Sequence, residues 1–134
     1  MKYTKSELIG PAVDAAGAIA EGLEFVPNAL DGSSSAGILV VDQSTGLEDV
    51  FLPSCSWLHG GPIIERNFIS TEPNDDFCDL SRADKSGGGT AWHSWLVHSA
   101  RPDGVQRSFA AGPTPLVAAM RAFVTAKLGA EVDL

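Results

Sequence analysis

The stretch that most limits how this chain can fold is an almost unbroken apolar run near its C-terminus. Between Leu116 and Leu128 only Arg121, Thr125 and Lys127 are polar. Such a run predicts a helix buried over most of its circumference, so the rest of the fold has to wrap around it. Its boundaries are signalled as well. Thr114 suits the N-cap, Pro115 the first helical position and Gly129 the stop, and Lys127 in the last turn complements the helix dipole.

The other elements are shorter. After a turn containing Thr4, Ser6, Glu7 and Leu8, a second helix is expected from Pro11 to about Glu21, ended by Gly22. Its apolar positions Val13, Ala16, Ala20 and Leu23 follow helical spacing, and its many Ala and Gly residues permit close approach to a neighbour. Residues 25–35 are rich in Pro, Asn, Asp, Gly and Ser and read as a loop. Residues 37–42 and 48–52 flank a Gly46 turn and predict a hairpin. A brief helix is expected over 60–68 with Pro62 at its first position. The polar stretch 71–89 reads as a flexible surface loop.

Two further strands are expected at 90–98 and 105–110, joined by the turn sequence Arg101-Pro102-Asp103-Gly104. Alternation in the first places Trp92, Ser94, Leu96 and His98 on one face and Ala91, His93, Trp95 and Val97 on the other. This order predicts a single α+β domain over 1–134. The expected architecture is a two-layer sandwich: an antiparallel sheet of three or four strands, with the N- and C-terminal helices packed on one face.

Composition narrows the function classes. With 17 acidic and 9 basic residues the net charge is −8. The nine cations (Lys2, Lys5, Arg66, Arg82, Lys85, Arg101, Arg107, Arg121 and Lys127) form no stripe, which disfavours nucleic-acid binding. A helix–strands–helix order is shared with double-stranded RNA-binding domains, but the C-terminal helix offers only Arg121 and Lys127 to phosphates. No apolar segment reaches the roughly 20 residues that span a bilayer, and no apolar stretch follows Lys2 and Lys5 as in a secretory signal. Reduced cysteines and a cytoplasmic setting are therefore expected.

The residues able to carry chemistry do not assemble on paper. Cys55, His59, Cys78, His93 and His98 lack the paired spacing of zinc sites, and His93 and His98 fall on opposite strand faces unless a bulge intervenes. No metal or cofactor is expected. Gly60-Gly61-Pro62 could present amides to an anion, but no Lys follows and Pro62 lacks an amide hydrogen. More informative are Trp57, Glu65, Arg66 and Arg121. Glu65 and Arg121 are charges set in apolar helical segments. The plainer expectation is a Glu65–Arg121 ion pair tethering two helices. The functional alternative is a polar cleft at Trp57, Glu65, Arg66 and Arg121 that binds a ligand or a partner residue.

Three segments carry a resemblance. They are Ser6-Glu7-Leu8, then Trp57-x-x-Gly60-Gly61-Pro62-Ile63-Ile64-Glu65-Arg66, and the stretch from Gly112-Pro113-Thr114-Pro115-Leu116 through Lys127-Leu128-Gly129 to Glu131-Val132. Over nearly its whole length the chain resembles the NinX-like family of small proteins encoded by tailed phages and prophages. The resemblance implies a phage or prophage origin and expression inside the host bacterium; it carries no catalytic residues. The chain departs from the family pattern around Ser54-Cys55-Ser56 and over 75–89, which argues against a shared activity at Cys55, His59 or Cys78. The expectation is an accessory protein-interaction module for a host or phage protein, with a small ligand-binding domain or enzyme as the alternative.

Overall fold

A computed structural model describes residues 2–25, 38–41, 44–73, 92–101 and 104–134. At its centre lies α3 (Pro115–Leu128), whose residues from Leu116 through Val124 are all buried. The Thr114 hydroxyl accepts from the Val117 amide at 3.2 Å, so the cap forms as the sequence expects. At its other end the Gly129 amide donates to the Thr125 carbonyl, with Gly129 at φ 94°.

The other helices are α1 (Pro11–Ala20) and α2 (Trp57–Asn67). Gly22, at φ 75°, closes α1 as its position predicts: Leu23 N–H donates to the Ala18 carbonyl and Gly22 N–H to that of Ile19. α2 corrects the expected boundary. It begins at Trp57 rather than Gly60, behind an extended Ser56, and Pro62 lies inside it. Pro62 forfeits a bond to the Leu58 carbonyl, which is tolerable because Leu58 is on the exposed side, within reach of solvent.

Among the described residues, three small antiparallel sheets complete the α+β fold. The chain's two ends pair, β1 (Lys2–Thr4) with β8 (Glu131–Asp133), turning Tyr3 and Val132 toward the core. A second sheet has the order β2 (Glu24–Phe25), β3 (Ile38–Val41), β4 (Glu48–Phe51). The third has the order β5 (Ser70–Pro73), β6 (Trp92–Arg101), β7 (Gly104–Gly112). Its inward face puts Ser94 and Leu96 of β6 and Ala110 of β7 in the interior, while His93, Trp95 and Val97 take the outward face, as alternation predicts.

One continuous sheet carrying both long helices was the expectation, and here the structure differs. α3 lies on the β5–β7 sheet, whereas α1 packs on α3 and on β2 and β3. Small side chains explain the arrangement. Ala15, Ala16 and Ala18 of α1 are fully buried, so the helix is thin enough to wedge between α3 and the second sheet. The expected loop over 71–89 gives up its first residues to β5. Its remaining part, with Cys78, lies outside the described residues, as does 26–37.

Two glycines fix how the layers meet. A Cβ at Gly60 would come within 2.5 Å of the Pro53 carbonyl and 2.7 Å of Leu116 Cδ2, so α2 can cross α3 there only without a side chain. A Cβ at Gly112 would lie 2.7 Å from the Ala118 amide nitrogen, where α3 seats on β7.

Candidate functional site

Arg121, the charge that sequence cannot explain, is buried in the middle of α3. It does not meet Glu65. Its Nε donates to the Leu8 carbonyl at 2.8 Å and its Nη1 to the Ala111 carbonyl at 2.9 Å. The guanidinium therefore ties the N-terminal segment and β7 to the central helix, and burial lowers its pKa. The expected ion pair fails because Glu65 lies on the exposed side of α2. Arg66 pairs instead with Glu21 at the end of α1. Trp57, in the first turn of α2, is 56% exposed.

The structure thus separates the four residues singled out from sequence. One of them, Arg66, lines a cleft of about 450 Å³ between the end of α1 and α2. Leu23, Phe51, Leu58 and Ile63 make its apolar wall, and the Glu21–Arg66 pair crosses its rim. Its size falls within the range of small-molecule sites. Neither Trp57, Glu65 nor Arg121 lines it.

His59 is the polar group that the sequence did not single out here. Its ring stacks on Phe51 with centroids 5.9 Å apart, and its Nδ1 accepts the Leu52 amide hydrogen at 2.9 Å. Accepting at Nδ1 places the ring proton on Nε2. The bond also organises the entry to α2, whose Ser56 side chain makes no capping bond. This role was invisible in the Cys55-x-x-x-His59 spacing because the partner is main chain.

Behind the cleft, Asp14 of α1 is buried, with its Oδ1 accepting the Ser54 amide hydrogen at 2.9 Å. Desolvation pushes its pKa up to about 6, against the lowering effect of the Ser54 hydrogen bonds. Burial raises the neighbouring Cys55 thiol, and the Asp14 charge raises it further. That environment is the opposite of what activates a cysteine nucleophile. A buried acid on an Ala-rich helix leaves one sequence signal, an Asp among apolar neighbours, which spacing alone assigns to the polar side.

On the outward face of the third sheet, His93 Nε2 meets Glu72 Oε1 at 2.7 Å across β5 and β6, and Arg107 lies over the Trp95 ring. The register of β6 against β7 shifts between Val97 and Ser99, at the bulge that the two histidines would need in order to share a face. Among the described residues no group of three or more His, Cys, Asp or Glu is placed to hold a metal ion. A second, smaller groove of about 260 Å³ lies at the far end of α2, against β6 and α3.

Among the described residues no helix is long and apolar enough to cross a membrane. The three segments that carry the resemblance map onto packing contacts: Leu8 on the Arg121 brace, Gly60 on the α2–α3 crossing and Gly112 on the seat of α3. No curated protein matches the chain. The family model for NinX of bacteriophage P22 matches residues 4–127, and the chain belongs to that family.

Proposed function

We propose that this phage protein is an interaction module that binds another protein, of host or phage origin, in the host cytoplasm. The observation that carries the reading is the start of α2. There Trp57 and Leu58, consecutive large apolar side chains, stand 56% and 79% exposed. Leu58 also lines the cleft whose rim holds Arg66. Tryptophan and arginine beside an apolar pocket are the residue types that dominate binding energy at protein interfaces. The raised Cys55 thiol removes one candidate nucleophile beside it.

The test uses purified protein as bait in lysates of infected bacteria, with a Trp57→Ala, Leu58→Ser double variant in parallel. A partner retained by wild type and lost with the folded variant supports the reading; equal recovery by both sinks it. The His59 Nε2–H aimed by the Leu52 bond favours one second reading, a small ligand in the cleft. Ligand-observed NMR in which no fragment is displaced by His59→Ala would remove that reading.

A further inference from the structure

The far end of α2 holds a feature that packing does not explain. α1 and α2 end in the same hydrogen-bond motif. In α1 the left-handed position is Gly22, and the bonds run from Leu23 N–H to Ala18 O and from Gly22 N–H to Ile19 O. In α2 the corresponding bonds run from Ile69 N–H to Ile64 O and from Phe68 N–H to Glu65 O. Here the left-handed residue is Phe68, at φ 51° and ψ 46°. Glycine occupies that position without steric cost, whereas an aromatic residue there is strained. Phe68 is the one non-glycine residue at positive φ among those described. Its ring secures no burial in return, being 88% exposed. A strained residue whose side chain does nothing for the fold points to a role outside it.

The surroundings of Phe68 specify a partner. The adjoining groove has an apolar floor of Leu96, Val97 and Ala126, with Arg66 and Lys127 at its edge. Among the described residues no carboxylate lines it. The positive character continues past Val97, which sits opposite Arg107 in the β6–β7 register. Beyond it Trp95 pairs with Phe109, and Lys5 donates its Nζ hydrogen to the Phe109 carbonyl. Six Lys and Arg side chains are described; leaving out the buried Arg121 and Lys2 on the terminal strand, the other four border this strip. Apolar floor and cationic edge together complement an acidic segment with an apolar anchor.

We infer that this groove docks an acidic peptide segment of another protein. One large apolar side chain of the segment inserts against Phe68 and Val97, and a flanking carboxylate meets Lys127, since Arg66 is already engaged by Glu21. This rests on the interaction reading above and adds to it the partner's chemistry and a second contact surface.

The experiment is selection of a random peptide display library on the intact protein, followed by anisotropy titration of the enriched peptides. Phe68→Gly is the decisive variant because it relieves strain: the chain stays folded, with Tm unchanged or raised by up to about 3 °C. Enriched peptides rich in Asp and Glu around one bulky apolar residue are expected. Their affinity should fall about tenfold or more in both Phe68→Gly and Lys127→Glu, and fall with added salt. Several results overturn the inference: no enrichment, enrichment of basic or uncharged sequences, or equal binding by Phe68→Gly. So does a concentration-dependent dimer, or a single-stranded oligonucleotide complex, that the same substitutions abolish. Peptides lost with Trp57→Ala and Leu58→Ser but kept by Phe68→Gly would leave the interaction reading standing and remove this groove from it.

Discussion

Asp14 and Arg121 present the same problem on two helices that pack together, and they solve it differently. Both are buried, and both are held by main-chain groups of another segment instead of an opposite charge. Ser54 serves Asp14, while the Leu8 and Ala111 carbonyls serve Arg121. The difference lies in what each group can do when desolvated. A carboxylate can take up a proton, and Asp14 does so near pH 6. Burial lowers the pKa of Arg121 from an ordinary value so high that the guanidinium stays charged in neutral solution. Arg121 is therefore a permanent brace, and Asp14 is a pH-sensitive one.

The largest expected effect comes from removing the permanent brace. Arg121→Ala leaves the Leu8 and Ala111 carbonyls without their donor and opens a cavity in the most buried part of α3. A loss of about 4 kcal/mol follows, a large fraction of the roughly 5–15 kcal/mol that holds a typical domain folded. Arg121→Lys, with one donor head unable to reach both carbonyls in the guanidinium geometry, should lose roughly half as much. Urea denaturation reads both. A loss below about 1 kcal/mol for the alanine variant would mean that water replaces the guanidinium and that it braces nothing.

Asp14 sets the next effect, which appears as pH dependence. Its folded pKa, about 6, lies above the ordinary 3.8. The unfolded chain therefore gives up this proton first as pH rises. The stability linked to the protonated acid is complete below about pH 4 and is lost as pH climbs through 6, on the order of 3 kcal/mol in all. Asp14→Asn keeps an oxygen for the Ser54 amide and cannot ionise. The variant should show a flatter pH profile, near wild type at pH 4 and more stable at pH 8. A wild-type profile in the variant would assign the titration to another group.

Gly60→Ala tests whether the pH-sensitive brace depends on its neighbours. The added Cβ meets the Pro53 carbonyl, one residue before the Ser54 amide that holds Asp14. Overpacking of this kind costs about 1–3 kcal/mol, and a displaced Ser54 should move the Asp14 titration. Carboxyl NMR of Asp14 reads that movement directly. An unchanged titration with lowered stability would confine the role of Gly60 to the α2–α3 crossing.

The contrast between the braces also marks how far the sequence could be read. Helix α3, its Thr114 cap and the faces of β6 follow from composition and period, because side-chain type alone decides them. The class of fold follows from the order of such elements. The division into three sheets does not. β1 and β8 are three residues each, and their pairing depends on where the chain's ends meet. Arg121 stood out as an unexplained charge, yet its partners are carbonyls, which no sequence distinguishes from one another. The same holds for His59 and the Leu52 amide. Phe68 looked like an ordinary apolar residue at the end of a helix; its left-handed backbone is set by the chain's return into β5. Of the residues proposed for a cleft only Arg66 lines the one beside α2; Phe51 and Ile63 in its wall read as core, and neither Glu21 nor His59 shows its partner in the sequence.

The smallest effect concerns a buried polar group that the main chain does not hold. Ser94 is fully buried on the inward face of β6, and its Oγ has no hydrogen-bond partner among the described residues. Its cross-strand neighbours are Ala110, which offers no side-chain acceptor, and Thr71, whose hydroxyl donates to the Pro115 carbonyl. Ser94→Ala removes an unsatisfied hydroxyl and little volume, so stability should hold or rise by up to about 1 kcal/mol. The neighbouring braces would lose stability under comparable truncation, which makes the sign of this change informative. A gain identifies Ser94 as a local flaw that a well-held core tolerates. A loss of more than about 1 kcal/mol would show that its hydroxyl is satisfied in solution, extending to Ser94 the main-chain support that Asp14 and Arg121 receive.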